Sequence, residues 1–126
     1  MGASVELRAR IEETGKQIQE DYRKALGKVQ KLKNKMNELE QQTPNNQNAK
    51  ALDSAIRRLN RLTDSQIMRS KRAWEEYRKL EQECKQQSLC TVQLDSLRAS
   101  CKKTEELAAD LLCYSLARFK QDKRQP

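Results

Sequence analysis

The chain has 126 residues, 36% of them hydrophobic and 35% charged, with a mean hydropathy of −1.04. Its 26 Lys and Arg against 18 Asp and Glu leave a formal charge of +8, and it has no His, three Gly, two Pro and five aromatic residues. This length suits a single domain, the shortage of turn residues excludes all-β and Gly-rich folds, and the lack of an apolar run of about 18–20 residues excludes a helical membrane span.

The first predicted element is a long helix. From Ile18 the residues Tyr22, Ala25, Val29, Leu32, Met36 and Leu39 follow steps of 4, 3, 4, 3, 4 and 3. That alternation puts every one of them on one seam, as in a coiled coil. Leu7 and Ile11 extend the seam backward, and the helix is predicted over about 4–41, with Ser4 as its N-cap and Glu6 in its first turn. Gly15 and Gly27 lie inside it at a cost of about 1 kcal/mol each relative to Ala, which burial of the seam has to outweigh. Residues 42–48 then break the pattern: Pro44 pushes Thr43 out of helical geometry, and the Asn residues favour turns. They are predicted as a loop joining two antiparallel helices.

A second helix is predicted over about 49–87. Its seam runs through Leu52, Ile56, Leu59, Thr63, Ser70, Ala73, Tyr77, Leu80 and Cys84, with a polar middle at Thr63, Gln66 and Ser70. Neither Gly nor Pro marks its end. Ser88 and Thr91 are candidate caps for a third helix over about 91–122, and an unbroken rod, with an extended dimer, is the alternative. The third seam passes through Leu94, Leu97, Cys101, Thr104, Ala108 and Leu111. Between Leu107 and Phe119 ten of thirteen residues are apolar. Such a segment either touches two neighbouring helices or offers Leu107, Leu111, Leu112, Leu116 and Phe119 to a partner helix. The first two helices match in length, roughly 55–60 Å at 1.5 Å per residue. The expected fold is all-α: an elongated up-down-up bundle of three long antiparallel helices with coiled-coil-like seams, one domain over 1–126.

Charge is unevenly distributed along this plan. The pairs Glu12–Lys16, Glu20–Lys24, Asp53–Arg57, Glu75–Lys79 and Glu81–Lys85 set an acid one turn before a base, worth about 0.2–0.5 kcal/mol each, and read as solvated faces. Two other sets carry one sign. Lys24, Lys28, Lys31 and Lys35 form a line on the first helix, and Arg57, Arg58, Arg61, Arg69 and Arg72 load the second. A hairpin turning at Pro44 puts Lys28 level with Leu62 and Lys35 level with Ala55, so the two sets meet. Arg118, Lys120, Lys123 and Arg124 reach the same end if the third helix runs back. Residues 22–70 and 107–126 together hold fifteen bases and six acids, against eleven and twelve in the remainder. The nine cations of the first two sets are therefore candidate anion-binding residues. Pairing of Arg69 or Arg72 with Glu105, Glu106 or Asp110 is the competing reading.

The residues of familiar catalysis are sparse. Without His the usual general base near neutral pH is missing. Cysteines 84, 90, 101 and 113 form no Cys-x-x-Cys pair and have no His beside them, so neither a zinc site nor an activated thiol is expected. They read as reduced core thiols, a disulfide between the second and third helices being the alternative. Neither a phosphate-cradling Gly loop nor EF-hand spacing is present. No secretory leader is visible, and Glu6 stands where a myristoylation signal after Met1-Gly2 has Ser or Thr. Trp74 and Tyr77 read as core. The expectation is a non-enzymatic scaffold or adaptor, cytoplasmic or nuclear, with no cofactor, metal or small-molecule substrate. It would assemble with a helical partner or with itself. The alternative is docking on an acidic membrane, a cytoskeletal polymer or a nucleic-acid backbone through the basic end.

Overall fold

The computed structural model describes residues 2–89 and 92–124, with side chains for all of these except residues 3 and 119–124. They form three helices, α1 (Gly2–Gln41), α2 (Asn46–Gln86) and α3 (Val92–Arg124), and no strand. Contacts from Arg10 to Glu83, Gln19 to Ser100 and Ser115 to Asn60 fix an up-down-up antiparallel bundle in which each helix packs on the other two. The fold is thus the all-α three-helix bundle that the seams require.

Two helix starts differ from the sequence expectation. α1 begins at Gly2, so Ser4 lies inside the helix instead of capping it, and Glu6 falls beyond the first turn. α2 begins at Asn46, three residues before Ala49, because Asn45 is the N-cap. The Asn45 side chain accepts the backbone N–H of Asn48 at 2.8 Å, and the Asn48 amide donates to the Thr43 carbonyl at 2.8 Å. The Asn run therefore starts a helix as well as ending a loop.

The α2 terminus explains why no Gly or Pro announces it. Ser88 adopts φ 54°, the left-handed conformation usually left to Gly at this place. The Ser88 N–H donates to Lys85 O at 3.2 Å and the Leu89 N–H to Cys84 O at 2.8 Å. These two bonds are a Schellman closure, and Leu89 packs on the core beside Leu80 and Cys84, as such a closure favours. The bonds and that contact offset a left-handed Ser, which costs about 1–2 kcal/mol. Asp95 then sits in the first turn of α3, where a carboxylate suits the positive helix end.

The core divides into two apolar clusters. One, near Pro44, joins Ala25, Val29, Leu32 and Met36 of α1 to Leu59 and Leu111. The other, toward the opposite end, joins Leu7 and Ile11 to Leu80, Cys84, Leu97 and Cys101. Each fully buried Leu contributes about 1.5–3 kcal/mol. Between the clusters lies a buried polar layer of Thr63, Gln66, Ser70, Ser100 and Thr104. The Gln66 amide donates to Thr104 O at 3.2 Å, and the Gln19 amide to Ser100 Oγ at 3.3 Å. Thr63 and Thr104 return their hydroxyls to carbonyls one turn earlier. The polar middle of α2 is therefore an internal layer closed by its own hydrogen bonds. Its cross-helix amide bond holds α2 and α3 in one register.

Candidate anion-binding groove

The α1 seam is buried against α2 and α3, so the residues flanking it form the bundle's outer faces. On the side toward α2, Arg10, Thr14, Gln17, Asp21, Lys24, Lys28, Lys31 and Lys35 continue the same alternation of four and three. Across from them stand Arg58, Leu62, Arg69, Arg72 and Glu76 of α2. Two clefts open along this α1/α2 face. One, of about 360 Å³, is lined by Lys28, Lys31, Lys35 and Arg58, with Leu32 and Leu62 as its apolar floor. The other, of about 510 Å³, has Arg10, Arg69 and Arg72 balanced by Glu13, Asp21 and Glu76, over Ile18, Ala73 and Leu80.

The nine cations divide accordingly. Lys24 lies 3.4 Å from Glu20, and Arg57 lies 2.9 Å from Asp53, both as exposed pairs within one helix. Among the described residues Lys28, Lys31, Lys35, Arg58 and Arg61 make no ion pair. Arg69 and Arg72 share the second cleft with acids of α1 and α2, and neither pairs with Glu105, Glu106 or Asp110. Glu105 instead accepts the indole N–H of Trp74 at 3.0 Å. Arg118 does reach the Pro44 end, but Glu40 neutralises it there, and its guanidinium lies over Tyr114 at 4.7 Å. Lys33 covers the same ring at 4.8 Å. Lys120, Lys123 and Arg124 lie outside the described side chains. Of the nine, Lys28, Lys31, Lys35 and Arg58 are thus the ones that line one cleft with no acid beside them. Lys28, Lys31 and Lys35 there repel one another by about 0.2–0.5 kcal/mol per pair.

The local acid–base pairs sit as helical spacing dictates, at 3.6 Å for Glu12–Lys16 and 3.9 Å for Glu81–Lys85. Lys79 is the exception, since it turns to Glu76 at 3.8 Å rather than to Glu75. Arg10 and Glu83 pair at 2.8 Å across α1 and α2 and mark the far end of the groove.

The apolar set on α3 also splits. Leu107 and Leu111 are buried in the cluster near Pro44 and serve the bundle itself. Leu112 and Leu116 are 43% and 50% exposed on the outer face. The Phe119 side chain lies outside the described residues. One apolar segment thus meets the core with one face and solvent with the other, a division that hydropathy alone does not reveal.

Cys101 is buried and donates to Ala73 O at 3.4 Å; burial, helped by the charge of Glu105, pushes its thiol up to about 11. Cys113 is an exposed thiol. Cys101 and Cys113 are in no disulfide, Cys84 is buried in the second cluster, and Cys90 lies outside the described residues. Trp74 and Tyr77 meet edge to face at 5.5 Å against the same cluster. Among the described residues no three His, Cys, Asp or Glu side chains converge as metal ligands do, and no helix is long and apolar enough to cross a membrane.

Sequence reasoning found the cations but missed the apolar floor at Leu32 and Leu62 and the balancing acids Glu13, Asp21 and Glu76. The four-three line that flanks the α1 seam carried the signal for Asp21 alone; Glu13 and Glu76 lie off it, and Leu32 and Leu62 read as core. Comparison of the chain with protein-family models, curated proteins and solved structures finds no match.

Proposed function

We propose that the chain is a non-enzymatic helical interaction module, a scaffold or adaptor, that docks an acidic partner through the cationic cleft at its Pro44 end. The observation that carries this reading is the gathering of Lys28, Lys31, Lys35 and Arg58 around one cleft with no carboxylate among them. The protein holds like charges together there at a small cost in stability, and an anion entering the cleft removes that cost. The seams, by contrast, are spent inside the bundle, so the partner-facing surface is the flank of α1 and α2. Work in the cytoplasm or nucleus goes with this reading.

Salt is the first test. Binding to polyglutamate, phosphatidylserine vesicles, duplex DNA or microtubules is measured at about 50 and about 200 mM salt, across which charge-driven binding weakens steeply. Reversal of Lys28, Lys31, Arg58 and Arg61 to Glu is expected to abolish binding while leaving helicity unchanged. Failure of every one of these polyanions to bind in a salt-sensitive way contradicts the reading. Solution mass and small-angle scattering at the same two salts report whether docking occurs as a monomer or a self-assembled form.

A further inference from the structure

We infer that the occupant of the α1/α2 groove is an amphipathic helix, acidic at one end, that lies along the groove opposite α3 and completes a four-helix bundle. This rests on the docking role proposed above and names the kind of partner. Three observations point to a helix over a lipid surface or a nucleic-acid backbone. The first is the reach of the face: the two clefts lie one after the other along α1 from Arg10 to Lys35, about 37 Å of helix at 1.5 Å per residue. The second is its floor. Partly exposed Leu62 at one end and partly exposed Ile18 at the other lie between charged rims, over the buried Leu32, Ala73 and Leu80. An apolar floor between polar rims fits anchors at i, i+3 or i+4, and i+7 of a helix. A phosphate backbone brings nothing to cover it, and a membrane reaches rims before floors.

The third observation is the charge gradient along the groove. The rim near Pro44 is wholly cationic, whereas the opposite half balances Arg10, Arg69 and Arg72 against Glu13, Asp21 and Glu76. A complementary helix therefore has Glu or Asp flanking its apolar stripe where it meets Lys28, Lys31, Lys35 and Arg58. It has mixed charge where it meets the other half. The gradient fixes its direction, because the reversed helix leaves the lysines uncompensated and puts acids beside Asp21 and Glu76.

The test uses the whole chain and two synthetic peptides of equal composition. One places Leu at heptad spacing with Glu flanks over one half and mixed charge over the other; the second scrambles the Leu positions. Titration calorimetry and amide shift mapping are the readouts. The expected result is one peptide per chain, bound at least tenfold more tightly than its scrambled form, with shifts along both α1 and α2 from Lys35 to Arg10. Lys31→Glu with Lys35→Glu, at exposed positions, is expected to cost at least tenfold in affinity at unchanged helicity. Equal binding of the scrambled peptide overturns the inference, as do shifts confined to the lysine end. Tighter binding of phosphatidylserine vesicles or duplex DNA than of the patterned peptide also overturns it, while leaving the cationic docking role standing. Absence of salt-sensitive binding by any of these probes removes both.

Discussion

The two halves of the bundle solve the same packing problem with different surfaces. Near Pro44 the core is built from Val29, Leu32, Met36, Leu59 and Leu111, and the rim of the α1/α2 groove carries only cations. In the opposite half Leu7, Ile11, Leu80 and Leu97 pack with Cys84 and Cys101, and the same rim is charge-balanced. Core composition therefore does not account for the charge difference, since both clusters bury their large side chains almost completely. Solubility does not account for it either, because the balanced half is as charged as a solvated helix needs to be. The asymmetry belongs to the surface alone, which is why it is read as function.

The comparison breaks most decisively at the cores. Leu59→Ala near Pro44 and Leu80→Ala in the other half each remove a side chain that is 1% exposed. Both are expected to cost about 2–5 kcal/mol in urea unfolding. A loss below about 1 kcal/mol at either site would mean that half is not packed as described.

Cys101 sharpens the comparison through pH. Its thiol is raised in the folded protein from the ordinary 9.0 to about 11, so the native state holds its proton where the unfolded chain has lost it. Stability from this group is complete below pH 9.0 and is lost as pH climbs toward about 11. The raised hydroxyls of Tyr77 and Tyr114 add loss of the same sign. Cys101→Ala is expected to flatten the decline by an amount on the order of 1 kcal/mol, read as the change in unfolding free energy between neutral and alkaline buffer. An identical decline in the variant contradicts this account of the thiol.

Ser88→Gly relieves the left-handed position between α2 and α3. It is expected to stabilise by about 0.5–1 kcal/mol, the relief of strain being partly offset by the added freedom of the unfolded chain. Gly27→Ala, where an added Cβ meets nothing within 4 Å, is expected to stabilise by a similar amount, about 0.5–1 kcal/mol. Thermal melts of the two variants compare the turn with the α1 interior.

The features read correctly from sequence are those set by local spacing. The α1 seam was legible because an apolar residue at every third or fourth place has one helical interpretation, and the clustering of Lys28, Lys31 and Lys35 was legible for the same reason. The α2–α3 break was expected between about 87 and 91, where the structure has it, but its form was not legible, because a Ser fills the position that Gly normally advertises. Nor was the start of α2, where Asn45 caps a helix inside a run that reads as loop. The neutralisation of Arg118 by Glu40 joins residues far apart in the chain, and no spacing rule announces it. The apolar floor of the groove was hidden because Leu32 and Leu62 serve the core as well, and hydropathy does not show which edge of a side chain remains open.

The central claim is that the cations near Pro44 are held together without internal partners. The measurement that reaches it most directly is the unfolding free energy of the triple variant Lys28→Glu, Lys31→Glu, Lys35→Glu against the parent chain, at low salt and at about 1 M salt, where the screening length is about 3 Å. The three carboxylates repel one another as the lysines did, but exchanging repulsion from Lys24 and Arg58 for attraction to them should make the variant more stable at low salt by about 0.5–1 kcal/mol, a gap that closes at high salt. A variant less stable than the parent at low salt would show that the lysines were already neutralised, and the cleft would not be an open anion site.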